Sequence, residues 1–136
     1  MRYMIIVKAT RDTEAGVMPE ERLIAAMAAY HDDLARAGVL LDASGVQRSA
    51  KGWRIRYDGP RRTVIDGPFT ETKELIAGYT LIEVKSREEA VEWTRRFPNP
   101  AADGRHGEIE VRPLFDLDEL GPQDARARGR PPRGER

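Results

Sequence analysis

The order of strand-like and helix-like segments predicts an α+β fold. Tyr3–Val7 is a short apolar run with β-branched residues, the pattern of a strand that is buried on both faces. Two later segments carry apolar residues at helical spacing, and several strand-like segments lie between and after them. This is the order of a ferredoxin-like β-α-β-β-α-β sheet with an extra hairpin. We therefore predict this sheet, with both helices on one of its faces.

The first helix is predicted to follow a loop of residues 10–18. Pro19 suits the first position of a helix, and Glu20 and Glu21 follow where the positive end of the helix dipole favours acidic groups. Gly38 supplies the stop signal at the other end. Between these signals, residues on one face recur at helical spacing: Leu23, Met27, Tyr30, Leu34 and Ala37.

The second helix is predicted from a capping box at its start. Ser86 can accept a hydrogen bond from a free backbone N–H of the first turn, and Glu89 can reach back to the backbone of the cap. Pro98 ends the helix because it cannot continue the hydrogen-bond ladder. The helix is expected to run through Ala90, Trp93, Thr94 and Phe97.

The remaining strands are predicted from apolar runs and alternation. Trp53–Tyr57 alternates strictly, so that one face of this strand is apolar and the other is basic. A turn at residues 58–60 leads from it into the next strand. The five predicted strands are Val39–Asp42, Trp53–Tyr57, Thr63–Ile65, Tyr79–Lys85 and Gly107–Leu114.

The face of the sheet without helices predicts a homodimer. The first strand is apolar on both faces, whereas two helices can cover only one of them. Apolar side chains on the other face would otherwise meet water. Two such sheets that pack face to face would cover these side chains and form a dimeric α/β barrel. We expect residues 1–115 to form this homodimer.

Length and composition indicate a single soluble domain. The chain has 136 residues, within the roughly 100–150 residues of an ordinary domain, and is 40% hydrophobic and 34% charged. It contains no cysteine, which excludes disulfides and thiolate metal sites and fits a reducing cytoplasm. No apolar run reaches the roughly 20 residues of a membrane span, and the N-terminal run is too short for a signal peptide. The expected location is therefore cytoplasmic, without a membrane partner.

Charge divides the chain into an acidic body and a basic tail. Residues 121–136 hold five arginines and two acidic groups, a net charge of +3, which leaves −3 for the other residues. Nucleic acid is not an expected partner, because its binding depends on neutralising phosphates. We predict that residues 1–118 form the domain and that residues 119–136 are a basic, disordered tail.

The connection Asp66–Gly78 is the candidate functional segment. It combines turn formers, an aromatic residue and four ionisable groups, and binding groups tend to lie on such connections. Asp66 is the candidate catalytic residue, as a general base or a ligand-binding carboxylate. The alternative is a turn in which its carboxylate accepts backbone N–H groups. The expected ligand-binding residues are Phe69, Glu71, Lys73, Glu74 and Tyr79.

The residues of this segment also have purely structural interpretations. Phe69 would also serve as a plug that closes one end of the barrel. The charged residues of the segment would also form a solvated cluster that contributes little to stability.

His31 is the second candidate catalytic residue. It lies beside the apolar face of the first helix, near Met27 and Leu34, and histidine is the usual proton shuttle at neutral pH. Its neighbours Asp32 and Asp33 favour an exposed face instead. Both roles are kept open.

No cofactor or metal site is predicted. His106 lies in a loop that is expected at the surface, far from His31 in the sequence. Phosphate loops, Rossmann glycines, nucleophile elbows and zinc-ligand spacings are missing from the sequence. Glu110 and Arg112 alternate onto one face of the last strand, where they would pair either inside the barrel or at an exposed edge.

Four segments of the chain carry a family resemblance: Val64–Glu74 with Gly78-Tyr79, Ala37–Leu41, Glu88–Trp93 and Glu108–Pro113. The central segment is specific, whereas an Asp-Gly-Pro turn alone would be a weak signal. Together they resemble the DGPF branch of the YCII-related family, over about residues 1–118. The resemblance implies the ferredoxin-like fold and the dimeric α/β barrel.

The resemblance implies two kinds of function. Some relatives are enzymes that act on aromatic compounds through a His and Asp pair, while others are encoded beside sigma factors. Close relatives often read Tyr-Asn-Glu-Glu-Leu where this chain has Tyr30-His31-Asp32-Asp33-Leu34, so the enzymes' histidine is not assigned to His31. One hypothesis is therefore a small organic, for example aromatic, ligand in a pocket near the Asp66–Phe69 loop, with acid/base chemistry. The other is a non-enzymatic accessory or regulatory protein.

Overall fold

The computed structural model describes residues 1–101 and 104–120 of the chain. Short 3-10 turns occur at Ser49–Lys51, Thr72–Glu74 and Leu117–Leu120. The strands and helices of this described part are β1 (Arg2–Lys8), α1 (Arg11–Glu14), α2 (Glu21–Arg36), β2 (Leu40–Gly45), β3 (Trp53–Asp58), β4 (Arg61–Asp66), β5 (Ile76–Glu83), α3 (Arg87–Arg95) and β6 (Ile109–Pro113).

The main sheet has four strands in the order β2-β5-β1-β6. All three strand pairs are antiparallel. β1 and β2 both pair with β5, so the connection through α2 crosses over a strand that lies between them. This is the ferredoxin-like topology, and β3 and β4 form the extra hairpin as a separate two-stranded sheet. The predicted fold class is confirmed.

The core lies between the main sheet and the helices α2 and α3. Ile5 of β1, Ile82 of β5 and Leu34 of α2 are fully enclosed there. Burying one such side chain stabilises the fold by about 1.5–3 kcal/mol. The cluster is completed by Tyr3, Tyr30, Val39, Val84, Ala90 and Phe97.

The helix ends differ in detail from the sequence prediction. α2 begins at Glu21, two residues after Pro19, and has no side-chain cap. α3 begins with the Ser86 cap as predicted, but the Glu89 carboxylate accepts from the Lys85 backbone N–H at 2.8 Å, one residue before the cap. α3 ends at Arg95, so Phe97 reaches the core from the turn that follows the helix.

The hairpin β3–β4 leaves its apolar face in water. Ile55 pairs with Val64 across the hairpin, and the alternation of β3 places Trp53 and Tyr57 on the same face. Trp53, Tyr57 and Val64 are 63–64% exposed. The alternation was therefore predicted correctly, but the apolar face stays exposed apart from the Arg62 guanidinium, which lies 4.9 Å from the centroid of the Tyr57 ring.

The strands on either side of the candidate segment have different bounds from those predicted. β4 extends to Asp66, and β5 begins at Ile76 instead of Tyr79. A short helix, α1, occupies part of the predicted loop of residues 10–18. The connection between β4 and β5 is therefore shorter than the sequence suggested. The predicted disordered tail comprised residues 119–136; its first two residues belong to the 3-10 turn Leu117–Leu120, and residues 121–136 lie outside the described residues.

Candidate functional site

A cavity of about 910 Å³ lies between α2, the region after α1 and the ends of β2 and β5. Leu23, Ile24 and Met27 line it from α2, and Val17 and Ala43 line it from the neighbouring segments. These side chains give the cavity an apolar interior. Its volume falls within the roughly 300–1,000 Å³ of small-molecule sites in proteins.

His31 lies in the wall of this cavity and is fixed by both of its ring nitrogens. Nδ1 is 2.8 Å from the Met27 carbonyl oxygen, one helical turn earlier, and Nε2 is 2.9 Å from Thr80 Oγ1. A carbonyl oxygen can only accept, so Nδ1 must carry a proton. Nε2 of the neutral ring therefore accepts from the Thr80 hydroxyl.

Thr80 lies in the middle of β5 and faces the helices. Only 1% of it is exposed, and it lies on the same face of the strand as the buried Ile82. A buried hydroxyl needs a hydrogen-bond partner, and His31 provides it. The pair therefore joins α2 to the centre of the sheet.

The ring of His31 also packs against aromatic side chains. Its centroid lies 5.8 Å from that of Tyr30 and 6.4 Å from that of Phe97, both edge to face. The Tyr30 hydroxyl donates to the Trp93 carbonyl of α3 at 2.7 Å. Burial raises the pKa of Tyr30 to about 12, against a smaller opposing effect of Arg96. The orientation of His31 is thus determined by two hydrogen bonds and two ring contacts.

Tyr79 also borders the cavity, but its hydroxyl points to another partner. It donates to Asp42 Oδ2 at 3.1 Å across the β2–β5 pair. This hydrogen bond, together with the negative charge of Asp42, raises the pKa of the Tyr79 phenol. The alternation of β5 places the Tyr79 side chain on the helix-free face, opposite Thr80, so Tyr79 does not share the face of the sheet that His31 contacts.

Asp66 lies away from this cavity. It is the last residue of β4, exposed and paired with Trp53 of β3. Within residues 1–101 and 104–120, its carboxylate makes no hydrogen bond or ion pair. It lines neither the large cavity nor the smaller one described below.

The residues after Asp66 are held by Ser49. The Phe69 N–H donates to Ser49 Oγ at 3.0 Å, and the Ser49 hydroxyl and N–H both donate to the Glu14 carboxylate. The Gly67 N–H donates to the Gly52 carbonyl at 3.0 Å. A Cβ on Gly67 would collide with the Ser49 carbonyl, so only glycine fits. The Asp-Gly-Pro-Phe segment is thereby attached to α1 and to the turn Ser49–Lys51.

A smaller cavity of about 340 Å³ lies beside Phe69. The Arg54 guanidinium stacks on the Phe69 ring, 3.8 Å from its centroid. The other candidates of this segment, Glu71, Lys73 and Glu74, are exposed around the turn Thr72–Glu74 and line neither cavity. The structure therefore does not bring them to His31.

The helix-free face of the sheet carries an ion-pair network. Glu110 lies 3.2 Å from Lys8 Nζ and 3.1 Å from Arg112 Nη1. The hydrogen bond from Lys8 lowers the pKa of Glu110 most, and the one from Arg112 lowers it further. The predicted pair of Glu110 and Arg112 is present, with Lys8 as a third member that the sequence did not indicate.

His106 lies in the exposed loop before β6.

Four residues of the site were missed from the sequence. Thr80 could have been found, because the alternation of β5 places it on the face of Ile82. The other three contact groups that are far away in the sequence, so no local pattern indicates them; they are Ser49, Glu14 and Arg48.

The described part of the chain holds no cluster of three or more His, Asp or Glu side chains placed to bind a metal. None of its helices is long and apolar enough to cross a membrane.

Comparison with known proteins identifies the family. A model of the YCII-related domain matches residues 1–118. The chain belongs to the YCII-related domain family. An uncharacterised protein of Rhizobium meliloti (strain 1021) is 33% identical over 95 residues, which cover 70% of this chain and 75% of that protein. The family expected from the sequence is confirmed, and its DGPF branch stays a prediction.

A solved structure is also similar to this YCII-related domain. It is the 5-chloro-2-hydroxyhydroquinone dehydrochlorinase of Burkholderia phenoliruptrix AC1100, in complex with 2,5-dihydroxybenzoquinone. The TM-score is 0.47 at 14% sequence identity, over 85% of this chain and 94% of that chain.

Proposed function

We propose that this YCII-related domain binds a small organic molecule in the cavity beside His31 and exchanges a proton with it. The observation that carries the proposal is the His31–Thr80 pair in the wall of an apolar cavity. An apolar interior with a few fixed polar groups is typical of a ligand site. The ligand therefore has an apolar body, for example an aromatic ring, and an ionisable hydroxyl.

The hydrogen bonds of His31 suit it to accept a proton. In the neutral ring, Nε2 accepts from the Thr80 hydroxyl. When Nε2 is protonated, the same hydroxyl turns and accepts, while the Met27 carbonyl continues to accept from Nδ1. Both charge states of the ring thus keep two hydrogen bonds. The Thr80 hydroxyl occupies the lone pair of Nε2, so the transfer is a relay in which the hydroxyl passes its own proton to Nε2 and takes one from the ligand.

The Asp66–Phe69 loop has a supporting role in this proposal. Its backbone is attached to Ser49, and the segment before Ser49 forms part of the cavity wall. Asp66 itself is exposed outside the cavity. We propose that the loop holds the cavity wall in place and that His31 takes part in the proton transfer.

The experiment uses 4-nitrophenol, because its absorption distinguishes phenol from phenolate. We expect it to bind the wild type and to be more ionised when bound than when free at the same pH. His31→Gln should bind it without raising the ionised fraction. The same ionised fraction of bound 4-nitrophenol in wild type and His31→Gln would contradict the role of His31.

A matched pair of variants tests the position of the site. Ala43→Phe places a large ring in the cavity and should abolish binding of 4-nitrophenol. Ala29→Phe makes the same change at an exposed position of α2 outside the cavity and should leave binding unchanged. Equal binding by Ala43→Phe and wild type would place the ligand elsewhere.

We also propose the homodimer through the helix-free sheet faces. Met4 and Ile6 of β1 and Leu81 of β5 lie on this face, on the side of the sheet opposite α2 and α3. Packing against a second copy would remove these apolar side chains from water. Size-exclusion chromatography with light scattering tests this assembly, and a clean monomer of 15.3 kDa at micromolar concentration would contradict it.

A second candidate function is a non-enzymatic accessory protein that acts through protein contacts. The exposed apolar face of the hairpin favours it, since Trp53, Tyr57 and Val64 are the kind of side chains that interfaces bury. This function predicts that the wild type does not bind 4-nitrophenol. It also predicts that a photo-crosslinking residue at position 57 joins the chain to a different protein and not to a second copy.

A further inference from the structure

We infer that the ligand of the large cavity is an organic anion, such as a carboxylate, whose apolar body lies inside the cavity. The inference rests on the proposed function and names the ligand class. It comes from the distribution of charge around the cavity, which is independent of His31.

Cations outnumber anions among the residues that line the cavity. Lys8, Arg48 and Lys51 line it, and Asp12 is the carboxylate residue that lines it within the described part of the chain. The Lys8 ammonium is already engaged by Glu110 at 3.2 Å. Arg48 and Lys51 against Asp12 therefore leave an excess of one positive charge for a ligand to meet.

Both of these cations have free donors. The Lys51 ammonium makes no hydrogen bond or ion pair with any residue that the structure describes. The Arg48 guanidinium donates from Nη1 to the Ala15 carbonyl at 3.3 Å, which uses one of its five N–H groups. A carboxylate could accept from the others, and such charge-assisted bonds are about twice as strong as neutral ones.

The Arg48 guanidinium lies close to the backbone of Gly16. Gly16 has φ +83°, and a Cβ there would collide with Arg48 Nη1. The absence of a side chain at Gly16 lets Arg48 cross to the segment after α1. The hydrogen bond to the Ala15 carbonyl places the exposed guanidinium at the border of the cavity.

The same segment gives the ligand an orientation. Arg48 and Lys51 also line the smaller cavity, so they lie where the two cavities meet. The apolar wall formed by Leu23, Ile24 and Met27 belongs to the large cavity alone. A ligand thus places its anionic group near Arg48 and Lys51 and its apolar body against α2.

The test compares three naphthalene probes of similar size. They are 1-naphthoate, the neutral 1-naphthalenemethanol and the cationic 1-naphthylmethylammonium, each titrated by fluorescence at low salt. We expect 1-naphthoate to bind at least about tenfold more tightly than the alcohol, because two charge-assisted contacts are added. The cation should bind most weakly, and added salt should reduce the preference for the anion.

Two double variants separate local charge from net charge. Arg48→Met with Lys51→Met should remove the preference for 1-naphthoate over the alcohol. Lys85→Met with Arg87→Met removes the same charge at exposed positions outside both cavities and should keep the preference.

The outcomes distinguish this inference from the proposed function. Equal affinity of wild type for the anion and the alcohol, with both blocked by Ala43→Phe, would overturn the anion inference and leave the site intact. Equal loss of preference in the two double variants would also overturn it. If no naphthalene probe and no 4-nitrophenol binds the wild type, the proposed function itself fails.

Discussion

His31 Nε2 lies 2.9 Å from Thr80 Oγ1, and this hydrogen bond joins the middle of α2 to the centre of the sheet. Thr80 is 1% exposed, and His31 supplies the hydrogen-bond partner that its buried hydroxyl needs. A buried polar pair of this kind requires both members, because the loss of either leaves the other unsatisfied. The pair also borders the apolar cavity, which connects the stability of the fold to the chemistry of the site.

Thr80→Val should therefore weaken the fold and the proton transfer together. Valine has no hydroxyl, which leaves Nε2 without an internal partner at a cost of about 1–3 kcal/mol. The protonated ring loses more, because its bond to the hydroxyl is charge-assisted. We expect less ionised 4-nitrophenol at saturation than in the wild type. Thr80→Ser keeps the hydroxyl and should keep the ionised fraction, so equal behaviour of the two variants would argue against this role.

Tyr30 should make the protein sensitive to alkali. Burial raises the pKa of its phenol from 10.0 to about 12 in the folded chain. The folded state therefore holds the phenol proton more tightly than the unfolded state does. The stability that this proton contributes is complete below pH 10 and is lost as the pH rises towards 12. Tyr30→Phe should remove this alkaline component and cost about 0.5–1.5 kcal/mol at neutral pH, through loss of the bond to Trp93.

The measurement for Tyr30 is urea denaturation at several pH values between neutrality and about pH 11. Tyr57→Phe is the control, because Tyr57 is 63% exposed and its phenol should contribute little. An alkaline decline of the same slope in wild type and Tyr30→Phe would show that another group causes it.

Ser49 should contribute more to stability than an ordinary partly exposed serine. Ser49→Ala removes the acceptor for the Phe69 N–H and one donor to Glu14, at a cost of about 1–3 kcal/mol. Ser44→Ala is the matched control, since among the described residues the Ser44 hydroxyl has one hydrogen-bond partner, the neighbouring Gly45 carbonyl at 3.4 Å. Chemical denaturation compares the two, and equal free energies of unfolding would show that Ser49 does not hold the loop.

Asp66→Asn should change little. The carboxylate is exposed and has no partner among the described residues, so the expected change is within about 0.5 kcal/mol. Affinity for 4-nitrophenol should also stay unchanged. A loss of stability above about 1 kcal/mol would instead support the turn-forming role. Unchanged stability with lost binding would support a role in the site.

The main sheet and helices could be predicted because their signals are local. The apolar run Tyr3–Val7 and the spacing of Leu23, Met27 and Tyr30 depend on neighbours within one element. These signals identified both long helices and the ferredoxin-like order. The exposure of hairpin β3–β4 was not predictable, because it depends on which other segments reach its apolar face.

The site was harder to predict, because its contacts join distant segments. Ser49 is 20 residues from Phe69 and 35 from Glu14, and no periodicity connects such positions. The composition of the Asp66–Gly78 segment indicated a candidate site, but composition cannot tell a loop that contacts a ligand from one that contacts the backbone. His31 was recognisable as a candidate, whereas its partner Thr80 depended on the register of β5.

The most direct test is a crystal structure of the protein with bound 4-nitrophenol. The account predicts that the ring lies between α2 and β5, with the phenol oxygen within about 3.2 Å of His31 Nε2 or Thr80 Oγ1. A ring bound instead beside Asp66 and the turn Thr72–Glu74, with the cavity at His31 empty, would contradict it.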